Sequence, residues 1–158
     1  NSGGPLVNLA GEAIGINSAV IFGAQNIGFA IPINKARQDL EELKKYGRIR
    51  RPFLGVRYLL LNPLLKKRFR LPLEKGAFVL REGVPGSSAV IPHSAADKAG
   101  IREADIIMAV NNRHIDEKTG IEDILEEIPL GQKIPIKVFR NGREKELLML
   151  VEERQEHL

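Results

Sequence analysis

The residues with the clearest chemical potential stand at the start of the chain. Asn1-Ser2-Gly3-Gly4-Pro5 places a hydroxyl beside two glycines. A nucleophilic serine needs its Oγ exposed and its own N–H aimed at the oxyanion that develops during acyl transfer. Neighbouring glycines let the backbone approach a substrate and adopt conformations closed to other residues. Such a serine also needs a general base, usually a histidine oriented by a carboxylate. The three histidines, His93, His114 and His157, all lie far downstream. Their loop, turn and terminal settings suit surface residues better than a catalytic base. The motif alone is read either as a nucleophile loop without its proton acceptor or as a chance loop of a β-rich protein, and either way the chain alone is expected not to catalyse acyl transfer.

Composition narrows the classes. The 158 residues suit one or two small domains, and 43% hydrophobic with 28% charged residues is ordinary for a globular chain. No run of about 18 apolar residues spans a membrane. With no cysteine, disulfide and thiol chemistry are excluded. No cofactor or metal site is read from the sequence. The net charge of +4 hides an asymmetry: Lys44 to Arg70 holds ten basic residues and no acid, leaving a balance of −6 elsewhere. This stretch favours an anion or forms a solvated face. Nucleic acid and anionic membrane rank low as partners, because aromatics are few and the basic residues are spread over several elements.

Elements must position these groups. Residues 3–33 read as short strands: Leu6-Val7, Ala13-Ile14-Gly15-Ile16, then "AVIF" and "IGFAIP". A helix follows, with Asn34 as the expected N-cap, Ala36, Leu40 and Leu43 on one face, and Gly47 ending it. Residues 48–52 read as a linker. From Phe53 the pattern restarts as a domain over residues 53–152, with a polar tail at 153–158. Strands are expected at "GVRYLLL", "GAFVL", "DIIMAV", "KIPIKVF" and "REKELLMLV". Asn141-Gly142 predicts a type I′ hairpin, and Asn62-Pro63 opens a helix. Helices are also expected at "SAADKAG" and "TGIEDILEEI". The fold class is mainly β with short helices, the second domain being a small, partly open barrel capped by helices.

Two resemblances organise the chain. "NSGGPLVNLAGEAIGIN", "IGFAIP" and the following helix resemble the C-terminal end of a trypsin-like serine protease domain, the HtrA/DegP branch in particular. The resemblance implies that residues 1–47 are its last strands and terminal helix, with Ser2 as nucleophile. It implies that the strand at Ile14, Gly15 and Ile16 pairs with substrate. It also implies that Ile27 and Gly28 help form the S1 pocket, which would favour small or medium aliphatic side chains. The triad His and Asp and one oxyanion glycine lie upstream in that fold, so they are expected outside this chain. "RRPFLGV", "SAADKAGIREADIIMAVNNRHI" and "IEDILEEI" resemble a circularly permuted PDZ domain. The departures are Ser94-Ala95-Ala96, Ala104 before Asp105, and Asn111-Asn112. A positive φ at Ala104 would be costly.

The PDZ resemblance implies a peptide groove. A peptide would add as a strand beside Val56-Arg57-Tyr58. Phe53, Leu54, Gly55 and Val56 would offer N–H groups to its carboxylate, within a favourable field from Arg51 and Arg57. The apolar terminal side chain would sit between Leu54, Val56, Ile121 and Leu125. Ile124 and Ile128 read as core, Ile121 and Leu125 as either, and Gly55 as a ligand approach or a β-bulge. The expected function is the C-terminal part of an HtrA-like endopeptidase for protein quality control, binding hydrophobic C-termini or unfolded proteins. The alternative is a non-enzymatic peptide-binding adaptor. Family resemblance places it in the periplasm or another extracytoplasmic space. A homo-oligomer is expected in the parent; in this chain residues 1–33 leave strand edges without partners, so they are expected to pair with a copy of themselves or to be partly disordered.

Overall fold

The computed structural model describes residues 2–20, 28–81, 83 and 86–153. The chain divides into two compact units, 1–50 and 51–158. In the first, β1 (Pro5–Val7), β2 (Ala13–Val20) and β3 (Gly28–Pro32) form an antiparallel sheet in that order, followed by α1 (Ile33–Tyr46). Asn8 makes the first turn, its Oδ1 accepting from the N–H groups of Ala10 and Glu12. Ala19 and Val20 continue β2 rather than starting a separate strand; Ile21 and Phe22 lie outside the described residues.

α1 begins at Ile33, not after an Asn34 cap, because β3 runs directly to Pro32, which occupies the N-cap at φ −55 without a side-chain cap. Gly47 ends the helix at φ 70, its N–H donating to the Leu43 carbonyl at 2.8 Å. No residue of α1 is buried, and Leu40 and Leu43 each stay 48% exposed. Three strands and one helix do not enclose a core.

The second unit contains β4 (Pro52–Phe53), β5 (Tyr58–Leu60), α2 (Pro63–Phe69), β6 (Ala77–Val79) and α3 (Ala95–Ala99). Then come β7 (Ile106–Val110), β8 (Arg113–His114), α4 (Ile121–Leu125), β9 (Lys133–Arg140), β10 (Arg143–Leu150) and β11 (Glu152–Glu153). The main sheet has the order β10-β9-β7-β6-β5, with β8 beside β7, while β11 pairs separately with β4. Asn141 and Gly142 both have positive φ, as a type I′ hairpin requires. Asn62 caps α2 by accepting from Leu65 N–H at 2.8 Å.

The core is aliphatic: Val79, Ile107, Val110, Ile121, Ile124, Ile134, Ile136 and Val138 are each fully buried. Among the described residues, one charged side chain joins them. Asp105 is buried and grips Arg140 through two 2.6 Å bonds, while Arg140 also donates to the Gly100 carbonyl and Asp105 accepts from Arg102 N–H. This joins the turn after α3 to the end of β9. Ala104, next to it, does adopt a positive φ of 71.

Candidate functional site

The Ser2 loop folds back on β2. Ser2 Oγ donates to the Ser18 carbonyl at 3.0 Å, Gly3 N–H donates to Asn17 O, and Gly3 has φ 82. Ser2 is exposed, as a nucleophile must be, but its proton points at a carbonyl that cannot accept it permanently. Both described histidines, His93 and His114, belong to the second unit; His114 lies in β8 and His93 follows Pro92 with φ 62.

The expected substrate strand lies within the first sheet. Gly15 pairs with Leu6 on one side and Pro32 on the other, and Ile16 with Pro5 and Ile31. Ile14-Gly15-Ile16 is thus the middle of the sheet, and an added strand finds no open edge there. The β1 side opens only beyond Ile16, where Ser2 and Gly3 already bond to Ser18 and Asn17. Gly28 starts β3 opposite Val20, and Ile27 lies outside the described residues.

The loop at Gly55 is built by close packing. Gly55 has φ 85, and a Cβ there would lie 2.2 Å from Ser94 Cβ. The Leu54 carbonyl accepts from Ala96 N–H and the Gly55 carbonyl from Ile91 N–H, both at 2.9 Å. Turning both carbonyls inward removes acceptors that would repel an anion at the loop. Phe53 is held in β4 against Glu152, so the loop proper is Leu54-Gly55-Val56.

Beyond the loop runs a sheet edge. Val56 bridges Val90, with Arg57 N–H donating to Ala89 O and Ile91 N–H to Gly55 O. Leu80 N–H donates to Arg57 O and Leu61 N–H to Gly76 O. The bonds into the sheet therefore involve Arg57 and Leu61. Antiparallel alternation aims the N–H and C=O of Val56, Tyr58 and Leu60 away from β6, at the outer edge of β5.

The groove residues behave unequally. Leu54, Ile121 and Leu125 are buried at 4%, 0% and 2% exposure, within the core cluster that Val56 and Tyr58 pack against. Ile121 and Leu125 are therefore core residues here rather than walls of an open slot, because α4 must bury its apolar face. Arg57 meets a backbone carbonyl. Its guanidinium donates to the Ser88 carbonyl at 2.5 Å, and it alternates to the face opposite Val56 and Tyr58. Arg51 lies 3.6 Å from Glu126, so a carboxylate already shares its charge.

Sequence reasoning missed the rim. The Tyr58 hydroxyl donates to Glu122, which ties β5 to the first turn of α4. Burial, and then this bond, hold the phenol above its usual range. Ser94, which both caps α3 and forces Gly55, was also missed. The available signal was the i,i+4 carboxylates Glu122 and Glu126 beside buried Ile121 and Leu125.

Comparison with known proteins places these features. A trypsin family model matches residues 1–38, and a PDZ domain model matches residues 86–140. A probable periplasmic serine protease, do/HhoA-like, from Haemophilus influenzae is 39% identical over 94% of this chain and 31% of its own length. The chain belongs to the HtrA/DegP family. Periplasmic serine endoprotease DegP of Escherichia coli K12 is 37% identical over 91% of the chain and 29% of its own length. The chain thus spans about a third of the curated relatives it matches. Among solved structures, an HtrA-type protease, AlgW, with a decapeptide matches 98% of this chain and 46% of its own. It does so at a TM-score of 0.78 and 30% identity.

Proposed function

We propose that the second unit binds the free C-terminus of an extended peptide by strand addition at β5. The observation that carries this reading is the outer edge of β5, where Val56, Tyr58 and Leu60 aim donors and acceptors outward beside the Leu54–Val56 loop. Such an edge pairs main chain with main chain and is indifferent to sequence along the strand. Loop N–H groups, with Arg51, then favour a chain that ends in a carboxylate. Because Ile121 and Leu125 are buried, the terminal side chain enters only if α4 shifts away from β5. A structural neighbour solved with a decapeptide supports peptide binding in general.

In the whole protein, Ser2 serves as the nucleophile of an endopeptidase, and the PDZ unit delivers unfolded or C-terminally exposed proteins to it. His93 is the first histidine of the sequence, and the 158-residue chain tested alone should not hydrolyse peptides. The relatives named periplasmic support an extracytoplasmic location. The test is a fluorescence titration of the 158-residue chain with one apolar-ended peptide, as free acid and as amide. Charge-assisted hydrogen bonds contribute about 1.5–3 kcal/mol, so the acid should bind roughly ten to a hundred times tighter. Equal affinity would sink the assignment.

A further inference from the structure

We infer that Arg50 clasps the chain to the end of α1 and so shortens the junction between the two units to one residue, Arg51. The inference does not depend on how the second unit binds a peptide. Gly47 closes α1 in the left-handed region, and the chain then doubles back far enough for Arg50 to reach Glu42, eight positions earlier. Arg50 Nε donates to one Glu42 oxygen at 2.7 Å, and a second guanidinium nitrogen donates to the other at 3.1 Å. The same guanidinium lies 3.3 Å from the centre of the Tyr46 ring. Glu42 and Tyr46 are four positions apart, so one helix face presents both. A planar guanidinium can stack on a ring and still offer its forked N–H groups to a carboxylate. The Arg50 and Glu42 side chains are 23% and 31% exposed, so the contact is partly shielded from water. The guanidinium holds the Glu42 carboxyl below its usual range.

The second unit takes hold of the chain almost at once. Pro52 and Phe53 pair with Glu153 and Glu152 between β4 and β11. Arg51 separates that strand from the clasp, and Pro52 restricts its backbone. The stretch 48–52, which the sequence reads as a linker, is thus divided: its first part belongs to the clasp and its last to β4. One residue spans at most about 3.6 Å, whereas residues 48–51 released from the clasp span up to about 14 Å. The clasp therefore sets how far the second unit can range from the unit that carries Ser2.

The experiment uses the full chain. It has no cysteine, so Gln38→Cys and Lys145→Cys place one spin label on each unit at an exposed position. The width of the label-to-label distance distribution is then compared with and without Glu42→Gln, Arg50→Lys and Glu41→Gln. Glu42→Gln removes the charge that the clasp grips, and Arg50→Lys keeps the cation but loses the fork. Both should broaden the distribution by several Å, because three more residues add up to about 10 Å of reach. Glu41→Gln touches only a 3.5 Å pair with Lys44 and should leave the width unchanged. Limited trypsin digestion of the unlabelled proteins reads the same opening. Cleavage after Arg48 and Arg50 should speed up about fivefold in Glu42→Gln, as for loss of an ion pair of this kind, and high salt should narrow the difference. Cleavage after Lys44 and Lys45 reports on α1 itself and should not change. A width that Glu42→Gln leaves unaltered overturns the inference. So does an equal rise in cleavage at Lys44 and Lys45, which would mean that α1 unfolds rather than that a clasp opens.

Discussion

Gly55→Ala is the substitution that most directly tests how the loop is built. The new Cβ would stand 2.2 Å from Ser94 Cβ and 2.5 Å from Ser94 Oγ, at a residue with φ 85. The left-handed conformation alone costs an alanine about 1 kcal/mol. Displacing Ser94 adds roughly 1–3 kcal/mol, as overpacking does in a filled site. The expected loss is therefore about 2–4 kcal/mol, a shift of roughly 1–2 M in the urea midpoint at an ordinary slope. Urea unfolding followed by circular dichroism measures it. Ser94→Gly removes both overlapping atoms and, as an N-cap change from serine to glycine, costs only a few tenths of a kcal/mol, by rough expectation. In that background Gly55→Ala should cost about 1 kcal/mol, leaving only the backbone contribution. If the cost is the same in both backgrounds, the close approach to Ser94 is not why residue 55 is glycine.

Four other outcomes follow from the same structure. Asp105→Ala strands the Arg140 guanidinium among buried neighbours and should cost about 3–5 kcal/mol in the same urea assay. Ala104→Gly relieves a positive φ of 71 and should gain up to about 1 kcal/mol, read as a higher melting temperature. The two tyrosines should titrate apart in the phenolate absorbance, because the Lys45 contact lowers Tyr46 while burial raises Tyr58. A raised phenol stabilises the fold below its unfolded value, near pH 10, and that contribution is lost as pH climbs through the folded value. Tyr58→Phe should therefore flatten the alkaline part of the stability profile.

Local signals in the sequence carried far where one residue type satisfies one geometric need. Asn62-Pro63, Gly47, Gly100 and Asn141-Gly142 each end up in the cap or turn that their chemistry favours. Asn34 failed because a strand flowing directly into a helix leaves no room for a separate cap. Which face of a strand is open is a long-range property. Ile14-Gly15-Ile16 is as apolar as an edge strand could be, yet pairing on both sides makes it the middle of the sheet. The basic run from Lys44 to Arg70 reads as an anion surface in one dimension. In three dimensions, Arg50, Arg51 and Lys66 meet Glu42, Glu126 and Glu74. Its acids come partly from distant segments, which a count along the chain does not see.

Amide hydrogen exchange with and without saturating free-acid peptide tests the central claim at residue resolution. An added strand should slow the Val56, Tyr58 and Leu60 amides, which aim outward. It should leave Arg57 and Leu61 nearly unchanged, since they already donate to Ala89 and Gly76. That alternating pattern is the predicted result. Uniform protection along residues 56–61, or protection confined to another face such as Leu148 and Leu150, would contradict strand addition at β5.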